Sequence, residues 1–272
     1  MSEISENDHS ASAAAKPAGA FHLATLENGW TVGRFRALEE LKGFTHVVTT
    51  RLGLDVDVVR SDPLAAADRL AAAVGVKQAA FCNQVHGPTV RVVCQGGPAG
   101  SADGLVSRTP GLGLVTRSAD CPLILAADPI SGVFGAAHAS WRGTVAQIAA
   151  GLIRQMTGQG ALAENIVACI CPSAGPCCYE VGPEVLDAAM AGIGPHAGQF
   201  FTASPAQPER PGKPAMHFDL WSSNTDQLLR AGLGGSNIHV AGLCTLCRND
   251  LFPSHRLEGD RAGRFAAVIA GL

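Results

Sequence analysis

The stretch from Ser118 to Gly143, SADCPLILAADPISGVFGAAHASWRG, decides how the chain is to be interpreted. CPLILAA and VFGAAHA are apolar runs of β type, and the turn residues between them predict two strands joined by a tight connection. Apolar residues then recur at helical spacing from Thr144, so the order strand, turn, strand, helix is predicted. Cys121 and His138 are the two residues that do not fit an ordinary buried sheet.

The rest of the chain follows the same mixed pattern. A helix is predicted at SDPLAAADRLAAAVG, with Asp62 as N-cap, Pro63 at the first helical position and Gly75 as the stop. Further helices are predicted at PEVLDAAMAG and NTDQLLRAG, and further strands at FTHVVTTR, AAFCNQVH, TVRVVC, LGLVTR, IVACIC and IHVAGL. This order favours an α/β or α+β fold in which helices cover sheets.

We expect one domain, covering residues 21–272, because no break in composition marks a boundary. Residues 1–20 are small and polar and are predicted to be a disordered N-terminal tail, while the Pro-rich segment around residues 204–215 is predicted to be a surface loop.

The composition excludes several classes of protein. A net charge of −3 and the lack of basic clusters argue against a nucleic-acid partner, and no apolar run reaches the roughly 18 residues needed to cross a membrane. The N-terminus, MSEISENDHS, is acidic where a signal peptide is basic, so a cytoplasmic location is expected. Nine cysteines in such a protein are expected to be reduced thiols, and some of them could bind metal.

Three distant side chains are candidate metal ligands: His86, Cys121 and His138. Their separations of 35 and 17 residues are not those of a zinc finger, but each lies at the end of a predicted strand, where neighbouring strands could bring them together. Two imidazoles and one thiolate leave a fourth tetrahedral position open, as in catalytic zinc sites. The alternative is that both histidines are ordinary polar core residues and that the cysteine fills a small apolar space.

Arg142 precedes the predicted helix start at Thr144. Unpaired N–H groups at a helix start attract anions and a guanidinium adds a forked donor, so this position is a candidate phosphate or carboxylate site. Arg51, just past a strand end, is a second candidate for the same anion. For both arginines a surface salt bridge remains the alternative interpretation.

The cysteines near the C-terminus could hold a second, structural zinc: Cys177, Cys178, Cys244 and Cys247. Adjacent cysteines point in different directions in an extended chain, however, and the single C-x-x-C lacks the usual partner pair. We therefore expect these residues to be buried thiols that line a pocket.

The strings NQVHG, ADGLV, SADCPLIL, AAHASWRG, GPCCYEVG and CTLCRNDLFPSHR together resemble, in the same order, the landmarks of the YfiH/laccase-domain family. The resemblance covers about residues 44–270. It implies a four-layer α/β/β/α fold of α+β class with mixed sheets, and it matches His86, Cys121 and His138 to the family's metal triad. Arg51 and Arg142 match, less closely, positions on the anion side of the pocket.

The same resemblance implies two activities, because family members are described as multicopper polyphenol oxidases and as zinc-dependent purine nucleoside phosphorylases with adenosine deaminase activity. Phosphorolysis and deamination of nucleosides at a zinc ion is our leading expectation, with nucleoside and phosphate as partners of a monomer or small homo-oligomer. Multicopper oxidation needs more histidines than one triad supplies, so copper is the weaker alternative.

A cysteine hydrolase acting on a peptidoglycan precursor, with Cys121 as nucleophile and His86 or His138 as base, is the other alternative. The sequence also departs from the family around TTRLGLDVDVVRSDP and at Ser140. Those departures leave the triad intact but affect the substrate rim, and the general acid or base is not identified.

Overall fold

The computed structural model describes residues 21–203 and 216–272. The predicted tail at residues 1–20 and the predicted Pro-rich loop at 204–215 lie outside the described residues, and the boundary at residue 21 stays a prediction.

The described residues form strands that carry most of the core. They are β1 (Phe21–Thr25), β2 (Thr31–Phe35), β3 (Phe44–Thr49), β4 (Gln78–Asn83), β5 (Val90–Val92), β6 (Gly97–Ser101), β7 (Gly104–Ser107), β8 (Leu112–Ser118), β9 (Leu123–Ala127), β10 (Phe134–His138), β11 (Val167–Ile170), β12 (Glu180–Val181), β13 (Phe201–Ala203), β14 (Met216–Phe218), β15 (Ile238–Val240) and β16 (Phe265–Gly271).

The helices are α1 (Arg36–Glu39), α2 (Val56–Ser61), α3 (Pro63–Ala73), α4 (Trp141–Val145), α5 (Ile148–Gly158), α6 (Pro183–Gly192), α7 (Leu220–Arg230) and α8 (His255–Glu258). Short 3-10 turns occupy Ala163–Asn165, Pro195–Phe200, Gly235–Asn237 and Gly259–Arg261. No helix in the described ranges combines the length and apolar character needed to cross a membrane.

Two large mixed sheets form the centre of the molecule. One has the order β1-β2-β3-β16-β8-β4-β6 and the other the order β15-β11-β9-β10-β7-β5. The decisive stretch forms the antiparallel pair β9–β10 in the middle of the second sheet, with His138 opposite Leu123. The predicted strand–turn–strand is therefore confirmed.

The sheets pack face to face because their central strands are apolar on both sides. In β16, Phe265, Ala267 and Ile269 join the core between the sheets, whereas Ala266, Val268 and Ala270 face the layer that contains α2 and α3. In β9, Leu123 and Leu125 face the same central core, and Ile124 packs toward α5 and α7. The layer order is α/β/β/α in a single domain, as the family resemblance implied.

The predicted helix at residues 62–75 is confirmed in detail. Asp62 Oδ1 accepts a hydrogen bond from the Ala65 N–H at 3.0 Å, Pro63 is the first helical residue, and Gly75 has a φ of 76°. A left-handed φ is easily adopted only by glycine, so the stop signal works as the sequence indicates.

The helix predicted from Thr144 differs from the structure in its start and its continuity. It begins at Trp141, because the Ser140 side chain accepts a hydrogen bond from Gly143 N–H and caps it. It breaks at Gln147, whose φ of 61° separates the five-residue α4 from α5. The short strands β1, β2 and β6 have too little periodicity to be recognised in the sequence.

A small antiparallel sheet of order β12-β14-β13 packs with α6 at the side of the four layers. The segment from the end of β11 through β12 carries GPCCYEVG, and the segment after β15 carries CTLCRND. Both segments lie beside the end of β9, next to Asp120.

Candidate functional site

The three predicted metal ligands converge at one end of the second sheet. His138 is the last residue of β10, Cys121 precedes β9 by two residues, and His86 lies in the loop that follows β4. The nearest donor atoms of the three side chains all lie within 4.8 Å of one another. The two imidazole rings are nearly perpendicular, with centroids 4.9 Å apart, so both can direct a nitrogen at the sulfur.

Asp103 connects the two histidines, and the sequence analysis did not identify it. One carboxylate oxygen lies 2.9 Å from His138 Nδ1 and also accepts the His86 N–H; the other accepts the N–H groups of Val85 and Gly87. Because an ionised carboxylate only accepts, Nδ1 of His138 donates to Asp103, and Nε2 is the ring nitrogen that can serve as a metal ligand once it has lost its proton. The ADGLV motif was the available signal, since it places this acid directly before β7.

Two residues beside the site adopt backbone conformations that are uncommon for their type. His86 has a φ of 62° and Asp120 a φ of 93°. Asp120 is fixed by the Thr245 hydroxyl and by the Arg256 N–H, at 2.7 and 2.8 Å, and its carbonyl accepts the Ala174 N–H. Strained backbone held by several partners is typical of functional sites. Both Asp120 oxygens are engaged, so its carboxylate serves as an anchor.

The pKa values of Cys121 and His138 depend strongly on each other. Burial alone raises the pKa of the Cys121 thiol, but the positive charge and hydrogen bond of His138 and the hydrogen bond of His86 outweigh it and lower the pKa to about 6. Burial lowers the pKa of His138, whereas the Cys121 thiolate and Asp103 raise it to about 9. The side chains therefore favour a thiolate at neutral pH, which is the form that binds metal.

The triad opens into a cavity of about 480 Å³, a size typical of small-molecule sites. Four arginines share its lining with Asp120 and Tyr179: Arg60, Arg117, Arg256 and Arg264. Burial and the nearby charge of Arg264 lower the pKa of Arg117, but a guanidinium remains protonated. Arg256 stacks over the Tyr179 ring at 4.8 Å. This wall is positively charged and suits an anionic ligand.

The two arginines expected at the anion site lie elsewhere. Arg51 forms an ion pair with Glu258, and Arg142 is exposed and stacks on Trp141 at 4.3 Å. Neither contributes to the lining of the cavity. Whether either contacts substrate stays a prediction. The four arginines that do line the cavity come from separate segments; Arg256 is the last residue of the motif CTLCRNDLFPSHR, whereas Arg60, Arg117 and Arg264 lie outside the quoted family motifs.

The donor set of the triad fits a zinc ion better than a hard cation. One thiolate and two neutral imidazoles are borderline and soft ligands, and the Asp103–His138 hydrogen bond is the arrangement that orients metal-bound histidines. His86, Cys121 and His138 all line the cavity, and three protein ligands would leave one tetrahedral position of a bound zinc ion for water or substrate. Copper could be held by the same donors, so the donor set alone does not fix the metal.

The four C-terminal cysteines also converge, with their sulfurs within 4.8 Å of one another. The expectation of buried thiols is wrong for Cys177 and Cys247, which are exposed. The four sulfurs can converge because residues Gly175 to Cys178 form a turn and not the extended chain assumed from the sequence. In this turn the Cys178 N–H donates to the Gly175 carbonyl at 2.9 Å. Adjacent side chains in a turn can face the same neighbour.

The geometry defines a class of protein in which two mixed sheets pack face to face and a His–Cys–His site lies at one end of the second sheet. Residues 49–271 match the family model described as multi-copper polyphenol oxidoreductase laccase, and the chain belongs to that family.

Named relatives are similar to the chain over most of its length. A purine nucleoside phosphorylase of Deinococcus radiodurans is 38% identical over 241 residues, covering 82% of this chain and 88% of the relative. A protein from an unknown prokaryotic organism, named adenosine deaminase RL5, is 33% identical over 162 residues, covering 60% of this chain and 59% of the relative. The crystal structure of YlmD from Geobacillus stearothermophilus superposes with a TM-score of 0.73 at 29% identity, covering 92% of this chain and 98% of YlmD.

Proposed function

We propose that the protein is a zinc-dependent purine nucleoside enzyme that cleaves nucleosides with phosphate and deaminates adenosine. The observation that carries this proposal is a single cavity that holds both the His86–Cys121–His138 donor set and the four arginines. The names of the relatives, purine nucleoside phosphorylase and adenosine deaminase, support the same reaction classes.

In phosphorolysis, a phosphate oxygen bonds to C1′ of the ribose while the bond from C1′ to the base nitrogen breaks. The electron pair leaves with the base, which takes up a proton, and the products are the free base and ribose 1-phosphate. Arg117 and Arg264 lie in the cavity wall and would hold the phosphate and orient it toward C1′. Positioning of this kind converts a two-body reaction into one within a complex.

In deamination, water adds to C6 of adenosine, ammonia leaves and inosine remains. His86, Cys121 and His138 would hold the zinc ion, which supplies Lewis-acid activation of water when bound. Asp103 keeps the His138 ring in the orientation that directs Nε2 into the cavity. Burial, with smaller contributions from the Cys121 and Asp120 charges, raises the pKa of Tyr179 to about 12. The phenol therefore stays protonated at neutral pH, and no phenolate is present to accept a proton.

The direct test is incubation of zinc-loaded protein with adenosine, with and without phosphate, followed by chromatography. We expect adenine only when phosphate is present, and inosine in both conditions. If zinc-loaded protein produces neither adenine nor inosine, and does not cleave inosine or guanosine with phosphate, the proposal is wrong.

The anion wall has its own test. Arg117→Gln removes a charge-assisted hydrogen bond of about 1.5–3 kcal/mol, so the KM for phosphate should rise roughly 10–100-fold while deamination continues. Arg142→Gln is the matched control, because Arg142 lies outside the cavity lining. An effect of Arg142→Gln on the KM for phosphate, with none for Arg117→Gln, would instead support the anion site expected from the sequence.

A second candidate is a cysteine hydrolase, favoured by the chain of contacts from Cys121 to His138 to Asp103. That arrangement has the form of a nucleophile, a base and an orienting acid. A hydrolase and a zinc site would both use the Cys121 sulfur, so the two functions exclude each other. The second imidazole at that sulfur, from His86, favours coordination of zinc. Activity that survives complete removal of metal but is lost when Cys121 is alkylated would favour the hydrolase. Copper rather than zinc in the purified, active protein would favour the oxidase.

A further inference from the structure

The four C-terminal cysteines form a group separate from the proposed active site. Cys177 and Cys178 lie in the turn between β11 and β12, and Cys244 and Cys247 lie in the segment after β15. The Cys247 sulfur is 3.8 Å from that of Cys177 and 3.5 Å from that of Cys178. Two segments about 70 residues apart therefore contribute one pair of thiols each.

These distances match tetrahedral coordination of one ion. With a zinc–sulfur bond of about 2.3 Å, the sulfurs of a tetrahedral site lie about 3.8 Å apart. A disulfide needs sulfurs about 2.05 Å apart, and Cys247 is shared by two neighbours, so no single disulfide accounts for the group. All nine cysteines are free thiols in the structure.

The backbone around Cys244 is arranged to stabilise a thiolate. The Gly175 N–H donates to the Cys244 sulfur at 3.3 Å. The backbone N–H groups of Leu246 and Cys247 also lie at this sulfur. N–H groups that converge on the first sulfur of a C-x-x-C turn hold that sulfur ready as a ligand.

We propose that Cys177, Cys178, Cys244 and Cys247 bind one structural zinc ion. Four thiolates close the tetrahedral sphere, so this site has no open position for catalysis. Tetrahedral sulfur sites hold zinc or iron–sulfur clusters, but sulfurs within 4.8 Å of one another surround a single ion and leave no room for a multi-iron cluster.

The zinc ion would hold together two segments that build the wall of the cavity. Cys178 directly precedes Tyr179, which lines the cavity, and Cys244 directly precedes Thr245, whose hydroxyl donates to Asp120 at 2.7 Å. The segments are otherwise joined there by the backbone pairing of Ser173 with Cys244 and Thr245. Metal binding at this point therefore stabilises the position of Asp120, next to Cys121.

The first test measures zinc content rather than activity, so it is independent of the proposed reaction. The His86→Ala/Cys121→Ser double variant leaves only one ligand of the triad, and we expect it to retain about one zinc ion per chain. Adding Cys247→Ser should remove that ion. Adding Cys94→Ser, the matched control at an exposed cysteine outside both groups, should leave it in place. A double variant that contains no zinc, or that contains another metal, would overturn the proposal.

The second test uses the wild-type protein, in case the cysteine variants fail to fold. With zinc bound, a thiol-specific reagent should modify the exposed Cys94 but not the exposed Cys177 and Cys247, as read by peptide mass spectrometry. Treatment with a chelator should make both reactive. Free reaction before chelation would refute the zinc site. Protection released by a reductant but not by a chelator would show disulfides instead, and would refute it equally.

Discussion

Asp103→Asn tests how the candidate site is organised, because one carboxylate holds both histidines. Its four acceptor contacts, to His138 Nδ1 and to the N–H groups of Val85, His86 and Gly87, range from 2.8 to 3.1 Å. Burial raises the pKa of this acid, but the His138 hydrogen bond and the backbone donors outweigh it and lower the pKa, so the carboxylate is ionised at neutral pH.

The magnitude follows from the hydrogen bonds. An asparagine amide accepts at its oxygen only, so in either orientation about two of the four contacts bring an NH₂ group against a donor. With about 1.5–3 kcal/mol for each bond to a charged group, and with the usual cost of breaking a buried pair, we expect a loss of about 3–5 kcal/mol in the free energy of unfolding. At roughly 2–4 °C per kcal/mol, the melting temperature should fall by about 6–20 °C.

Metal affinity should fall as well, since loss of an orienting partner reduces zinc binding by about 10–100-fold. Competition with a chromophoric chelator measures that affinity, and thermal denaturation measures stability. Asp68→Asn is the matched control, because Asp68 is exposed on α3. Wild-type zinc affinity and wild-type melting in Asp103→Asn would refute the idea that this carboxylate organises the site.

Two further perturbations test the fold. Phe134→Ala, at a ring fully buried between the sheets, should lower the free energy of unfolding by about 3–5 kcal/mol in denaturant titrations, whereas Ile130→Ala, at an exposed side chain, should change it by less than about 0.5 kcal/mol; equal effects would contradict the assigned core. Hydrogen bonds from Ser254, Arg51 and Asn249 outweigh the effect of burial and lower the pKa of Glu258 below its ordinary 4.5. The contribution of the Glu258 carboxylate to the free energy of unfolding is therefore complete above about pH 4.5, and it is lost as the pH falls through the lower pKa of the folded state. Glu258→Gln should cost about 1–3 kcal/mol at pH 7 and progressively less below about pH 4.5, and a cost independent of pH would show that the carboxylate charge is not involved.

Local signals in the sequence predicted most of the elements. The cap, proline and glycine around α3 act through contacts between near neighbours, so they can be read without the fold. The break at Gln147 could not be predicted, because a left-handed glutamine has no favourable local signal and is held there partly by its side chain, which donates to the Gly192 carbonyl.

The candidate site divides in the same way. His86, Cys121 and His138 stand out because they interrupt apolar strands or follow them directly, and the family motifs carry them together. Asp103 lies in one of those motifs, but its role depends on where the loop after β4 crosses β7. The arginines of the cavity come from segments that only the packing of α2, β8, α8 and the residue before β16 brings together.

The sequence by itself determined the alternation of apolar strands and helices, the three distant candidate ligands and the resemblance to the family, because these depend on periodicity, residue chemistry and short motifs. Only the tertiary structure decided which charges surround the candidate ligands. It also decided that two pairs of cysteines, about 70 residues apart in the chain, meet in one group. Those features depend on strand order and on the path of turns, and side-chain electrostatics act through distances in space that chain separation does not encode.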